Sequence, residues 1–134
     1  MSLVIVPSAY VYQAWEKEGA DCLAEVCDLV EEITPSQLKM ILARGERTLV
    51  RIDDEQTVGW GAFRVDNLPN LRVLHITDLV CHNGGFERFF TEIKDVARSL
   101  GCSQVRCSTM PAQARLYRMK CGFESVYETL KVEV

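Results

Sequence analysis

The segment from residue 71 to residue 107 constrains the fold more than any other. Phe86, Phe89, Phe90, Ile93, Val96, Ala97 and Leu100 recur at the i, i+3, i+4, i+7 spacing of one helical face. Glu87, Arg88, Lys94, Asp95 and Arg98 fill the opposite, solvent-facing side. Gly84-Gly85 opens this helix and Gly101 closes it. Ahead of it, residues 71–80 read as a long strand; behind it, residues 104–107 read as a short one. Strand, helix and strand in this order predict a parallel pair joined by a right-handed crossover.

The rest of the chain builds around that unit. Residues 3–6, ended by Pro7, predict a buried strand. Tyr10, Tyr12 and Trp15 follow in a segment of undefined type, broken near Gly19. Asp21 caps a helix that carries Leu23, Val26, Cys27, Val30 and Ile33 on one face. Thr34-Pro35-Ser36-Gln37 is a capping box with proline at the first helical position, and this helix runs through Leu38, Ile41 and Leu42 to Gly45. The period then shifts to two. Residues 48–52, 57–65 and 71–80 predict three strands joined by turns at 53–55 and 67–70, an antiparallel meander. Residues 112–120 predict a short helix closed by Gly122, and residues 123–132 a final strand. The order β-α-α-β-β-β-α-β-α-β predicts an α/β fold: a mixed, mostly antiparallel sheet with helices on both faces, in one domain spanning 1–134.

Composition narrows the function classes. At 48% hydrophobic and 25% charged residues, the chain is neither disordered nor collagen-like. A net charge of −4 argues against a general binder of nucleic acid or anionic membrane. No apolar run reaches the roughly 18 residues that a membrane span needs. The apolar stretch at 3–6 is too short for a signal-peptide core, which points to a cytoplasmic, reducing setting. The six cysteines are therefore expected as free thiols. With no C-x-x-C and no close histidine pair, no metal site is expected.

Three local features, set in this element order, resemble the GNAT superfamily of acyl-CoA-dependent N-acyltransferases. A long strand ends in the Gly84-Gly85 pair that opens an amphipathic helix. That helix leads through Ala97-Arg98-Ser99-Leu100-Gly101-Cys102 into a short strand. Ala114-Arg115-Leu116-Tyr117 then precedes Gly122-Phe123-Glu124 and a terminal segment. The second half also resembles small GNAT-like proteins encoded near virion genes of tailed phages and prophages.

The resemblance implies acetyl-CoA as co-substrate and a small amine or protein amine as acceptor, with a homodimer partner or virion proteins as further partners. It implies that Leu79, Val80 and Cys81 pair with the pantetheine arm, as an added strand does. The pyrophosphate would fall to His82, Asn83, Gly84, Gly85 and Phe86 through backbone N–H groups at the helix start. A second reading of Gly84-Gly85 is a plain turn between strand and helix. The turn departs from the family's pattern, since Phe86 or Glu87 stands where a small residue is usual.

The resemblance also implies Tyr117 as the acid that protonates the leaving thiolate. Tyr117 lies five residues before Gly122 rather than the family's four, which puts Arg118 in the family position. An unbroken helix in the family register would bury Tyr117 and aim Arg118 at the sulfur; a one-residue bulge near Lys120-Cys121 would return Tyr117 to the cleft. His75 and Asp78 are further candidate bases, and Cys81, near a helix N-terminus, a candidate reactive thiol. Two functions follow: an acyltransferase, or a protein that kept the fold without the chemistry, such as a virion-associated component.

Overall fold

The computed structural model describes residues 2–53, 58–82 and 84–134. Five strands lie side by side in chain order: β1 (Ser2–Val6), β2 (Thr48–Asp53), β3 (Val58–Leu68), β4 (Leu71–Cys81) and β5 (Gln104–Cys107). The first four are antiparallel neighbours, and β5 runs parallel to β4. Between β1 and β2 the chain forms short helical turns, α1 (Val11–Gln13) and α2 (Ala24–Cys27) among them, and then α3 (Pro35–Ala43). The crossover is α4 (Phe86–Ser99), and α5 (Pro111–Cys121) follows β5.

Helices cover both faces, as expected. On one face Val11, Leu23, Leu38 and Leu42 pack against Leu49, Trp60 and Ala62 of the sheet. On the other, Phe89, Phe90, Ile93 and Ala97 of α4 pack against Val50, Phe63, Leu74 and Ile76. Gly59 permits the close packing there: a Cβ on it would stand 2.9 Å from Ile52 Cδ1 and 3.0 Å from the Val80 carbonyl oxygen. The capping box of α3 forms with both bonds, Gln37 N–H to Thr34 Oγ1 at 3.2 Å and Thr34 N–H to Gln37 Oε1 at 2.9 Å.

Three expectations are corrected. The helix foreseen from Asp21 to Ile33 stops at Cys27. The N–H groups of Leu29 and Val30 bond back only three residues, to Val26 and Cys27, so the last turn tightens and ends. Leu100, placed on the buried stripe of α4, is 38% exposed because the helix closes at Ser99. The third is the final strand, since residues 123–132 pair with no strand among the described residues. Among the described residues, no backbone hydrogen bond joins 124–134 to the rest; the last is Phe123 N–H to the Tyr117 carbonyl. A strand needs a partner edge, and this segment makes no backbone pairing with β5.

A bulge in β4 sets up the functional end of the sheet. Ala62 faces Asp78 and Phe63 faces Ile76, leaving Thr77 without an opposite residue. The side-chain alternation therefore slips by one. Leu74 and Ile76 pack under α4, and after the bulge so do Leu79 and Cys81. Asp78 turns to the other face, where it is buried and meets Arg47 Nη1 at 3.3 Å and the Thr77 hydroxyl at 2.7 Å.

Candidate active site

The parallel pair of β4 and β5 is unequal in length. β5 ends at Cys107, opposite Ile76, while β4 continues to Cys81. Residues 77–81 of β4 thus have an open backbone edge on the β5 side. Beyond Cys107 the chain turns into α5, which crosses the gap. A cleft of about 250 Å³ lies there.

Its walls come from four places. Leu79, Val80, Cys81 and His82 form the end of β4, and Phe86 begins α4. Gln113 and Tyr117 of α5 face in together, as residues four apart on a helix do. Glu25, Val26 and Leu29 close the side nearest α2. Of the site residues read from the sequence, the cleft brings together Leu79, Val80, Cys81, His82, Phe86 and Tyr117. Gly84 and Gly85 form the adjoining turn without contributing to the wall. Asn83 lies outside the described residues.

The glycine turn has distinct tasks for its two members. Gly84 adopts φ +73 with open space around it, so its backbone conformation and not crowding asks for glycine. Gly85 is the N-cap of α4 and provides no side chain to bond the first-turn N–H groups. Gly85 therefore offers those donors no side-chain acceptor, and the positive end of the helix favours an anion there.

Tyr117 corrects the register argument. The α5 helix runs unbroken, yet Tyr117 lines the cleft, while Arg118 is exposed with Nη1 3.3 Å from Ser125 Oγ. The cause is the way α5 docks. The Tyr117 ring sits 5.5 Å from Phe86, 4.9 Å from Phe90 and 6.0 Å from Phe123 by centroids, which rotates the helix so that Gln113 and Tyr117 look inward. Burial, and then the thiols of Cys107, Cys81 and Cys121, push the Tyr117 pKa up to about 12. The phenol keeps its proton at any working pH.

The other candidates fall differently. Burial and then Cys22 push the Cys81 thiol up to about 12, so it is not an activated nucleophile despite the nearby helix start. Burial holds Asp78 above the ordinary carboxylate range, against the Thr77 hydroxyl and Arg47, and it points away from the cleft wall. His75 lies mid-strand, flanked in register by Arg64 and Arg106, outside the wall; burial and then Arg64 lower its pKa. Sequence reading missed Glu25 and Gln113. Both are single polar residues in helices read for their apolar stripes, with no local signal to set them apart. All six cysteines are unpaired, and no group of three metal-binding side chains gathers among the described residues.

No protein-family profile matches this sequence, and no curated protein matches it. Solved structures do match in shape. A ribosomal-protein-alanine N-acetyltransferase from Brucella melitensis biovar Abortus superposes with a TM-score of 0.71 at 12% identity, over 100% of both chains. A possible acetyltransferase from Clostridium difficile gives 0.71 at 12% identity, covering 99% of this chain and 97% of that one. An aminoglycoside acetyltransferase from an uncultured soil metagenomic sample gives 0.65 at 15% identity, over 97% and 96%. The chain has the GNAT acetyltransferase fold. Within that fold its sheet stays open at β5, and none of these likenesses points to a phage source.

Proposed function

We propose that this chain, acting as one domain over 1–134, transfers an acetyl group from acetyl-CoA to an amine. The observation that carries the reading is the parting of β4 and β5 after the Ile76–Cys107 pair, with the start of α4 and Tyr117 meeting at the same end. The residues present suit the co-substrate. An open strand edge at 79–81 accepts an extended amide-bearing arm by backbone pairing. The uncapped first turn of α4, with His82, Gly84, Gly85 and Phe86 beside it, accepts a pyrophosphate. Asn83, next to Gly84 in the sequence, is the further residue assigned to this role.

Acetyl-CoA supplies the acyl group, activated as a thioester. The protein's part is positioning and proton handling. Glu25 is the wall residue suited to take a proton from the incoming amine. Backbone N–H groups of the open β4 edge polarise the carbonyl under attack. Tyr117 holds a proton facing the position of the departing sulfur.

A small amine or an amine on a protein is the acceptor in this reading, and the setting is the cytoplasm. No helix among the described residues is long and apolar enough to cross a membrane. The rival reading, a non-catalytic virion-associated protein, has no observation of its own in its favour. Acetyl-CoA titration by calorimetry or thermal shift is the direct test. Saturation at 100 times the dissociation constant should add about 2.7 kcal/mol of stability. Absence of binding, with no thioester consumed in the presence of a panel of primary amines, would sink the proposal.

A further inference from the structure

We infer that Arg106, with His75 beside it, binds a carboxylate carried by the acceptor, which makes the acceptor an amine that also bears an acid group. The inference rests on the acetyl-transfer reading for the amine, and on the sheet's own geometry for the carboxylate. The strands place Arg64 of β3 opposite His75 of β4, and His75 opposite Arg106 of β5. Their neighbours Phe63, Val65, Leu74, Ile76, Val105 and Cys107 pack on the α4 side. Strand alternation therefore sets Arg64, His75 and Arg106 in one row on the other face. Like charges opposite one another in a sheet are unfavourable, so such a row needs compensation. Arg64 has it, since its Nε donates to Asp66 Oδ1 at 2.9 Å. Arg47, which reaches this face through Asp78, is paired there at 3.3 Å. Burial and then Arg64 hold His75 below its ordinary pKa, so its imidazole is neutral at neutral pH. Of these groups only Arg106 is left without a counter-charge among the described residues. Its Nε donates to the neutral Gln104 Oε1 at 2.9 Å, which leaves both terminal nitrogens for a further acceptor.

One unbalanced positive charge in a planar fork, next to a neutral imidazole N–H, suits a single carboxylate. A phosphate monoester, at about −1.5 to −2, carries more charge than the row balances. The place of the row matters as much as its charge. His75 and Arg106 stand one residue before Ile76 and Cys107, the last pair before β4 and β5 part. Glu25, the wall residue suited to deprotonate the amine, belongs to α2, which packs on this same face through Cys27. At about 3.3 Å per residue, the open edge at Leu79 lies roughly 10–13 Å along β4 from His75. The long Arg106 side chain spans part of that gap. An amine at the acyl centre and a carboxylate on Arg106 are therefore the two ends of one molecule, separated by several bonds.

The test is acetyl transfer to ω-amino carboxylates of about four to eight carbons, each matched with its uncharged carboxamide and its phosphate analogue. We expect kcat/KM for the best carboxylate to exceed that for its carboxamide by about 10- to 100-fold, through KM. Arg106→Gln should bring that ratio close to one, Arg106→Lys should keep part of it, and Arg106→Glu should turn the preference toward the matching diamine. Should Arg106→Gln fail to fold by circular dichroism, the wild-type ratio and Arg106→Lys decide. Calorimetry of the same amino carboxylates, with coenzyme A present, gives a readout that needs no turnover: wild type should bind them and Arg106→Gln should not. Binding that depends on Arg106, without acetylation, upholds the carboxylate site and sinks the transfer reading. Equal acetylation of carboxylates and carboxamides upholds transfer and overturns the inference. So does a preference for the phosphate, or a carboxylate preference that survives Arg106→Gln. Neither binding nor acetylation by wild type overturns both.

Discussion

The rings of Phe86 and Tyr117 stand 5.5 Å apart, tilted by 48°, and join the first residue of α4 to the middle of α5 across the cleft. Phe86 thereby fills space beside the very N–H groups that an anion would approach. Replacing it with glycine should open that end. We expect Phe86→Gly to tighten acetyl-CoA binding by about three- to tenfold in calorimetry, an effect of about 1 kcal/mol. Lost ring contacts should lower stability by about 1–3 kcal/mol in the same protein. Weaker binding would instead show that the Phe86 ring itself helps to hold the co-substrate.

Phe90 anchors α4 more firmly. It is 2% exposed and meets Phe89, Tyr117 and Phe123. Phe90→Ala should cost about 3–5 kcal/mol, read as a fall in the urea midpoint with little change in slope. A loss under about 1 kcal/mol would mean that the surrounding rings collapse into the space.

These residues mark where sequence reading succeeds and where it stops. The buried stripe at Phe89, Phe90, Ile93 and Ala97 is legible because helical spacing is a local property. The tail is not: residues 123–132 carry a strand's alternation, but pairing depends on an edge that no local pattern reveals. The facing of Tyr117 stays open in the sequence for a similar reason. Counting back from Gly122 assumes how α5 is rotated, and that rotation is set by contacts with Phe86 and Phe90, far away in the chain. The facing of Asp78 depends on the unpaired Thr77, a bulge visible only once β3 and β4 are aligned.

Asp78 predicts a pH effect whose sign is fixed by burial. Its carboxyl pKa is raised above 3.8 in the folded protein. The fold therefore binds that proton more tightly than the unfolded chain does. The contribution to stability is fully present below the unfolded value and is lost as pH rises through the raised folded value. Asp78→Asn removes this titration, so wild type should gain stability relative to the variant on going from neutral to acidic pH. Denaturant melts of both proteins across that window are the check; parallel curves would show an Asp78 pKa equal in the two states. Asp78→Ala, which also strips Arg47 of its partner, should cost about 2 kcal/mol at neutral pH.

Cys81 should be a slow thiol. Its pKa near 12 against an ordinary 9.0 leaves about a thousandfold less thiolate at mildly alkaline pH than an unfolded cysteine has. Alkylation followed by mass spectrometry should label Cys81 rapidly only after denaturation. Labelling in the native protein at the denatured rate would place the side chain in solvent and undo the description of the cleft wall.

Tyr117→Phe tests the chemistry with the least disturbance. The substitution keeps the ring and its contacts with Phe86, Phe90 and Phe123, and removes only the hydroxyl. If that hydroxyl protonates the departing thiolate, turnover should fall by about 10²–10⁴ with folding and acetyl-CoA binding intact. The pH dependence adds a second readout. A phenol with a pKa near 12 stays protonated throughout the accessible range, so its own titration cannot produce an alkaline limb. The leaving thiol, with an ordinary pKa of about 8.5, needs the acid less as pH rises past that value. The gap between wild type and variant should therefore narrow at alkaline pH. A gap that stays constant would point to a positioning role for the hydroxyl. An unchanged rate at every pH would move the acid elsewhere in the cleft and leave Tyr117 as packing alone.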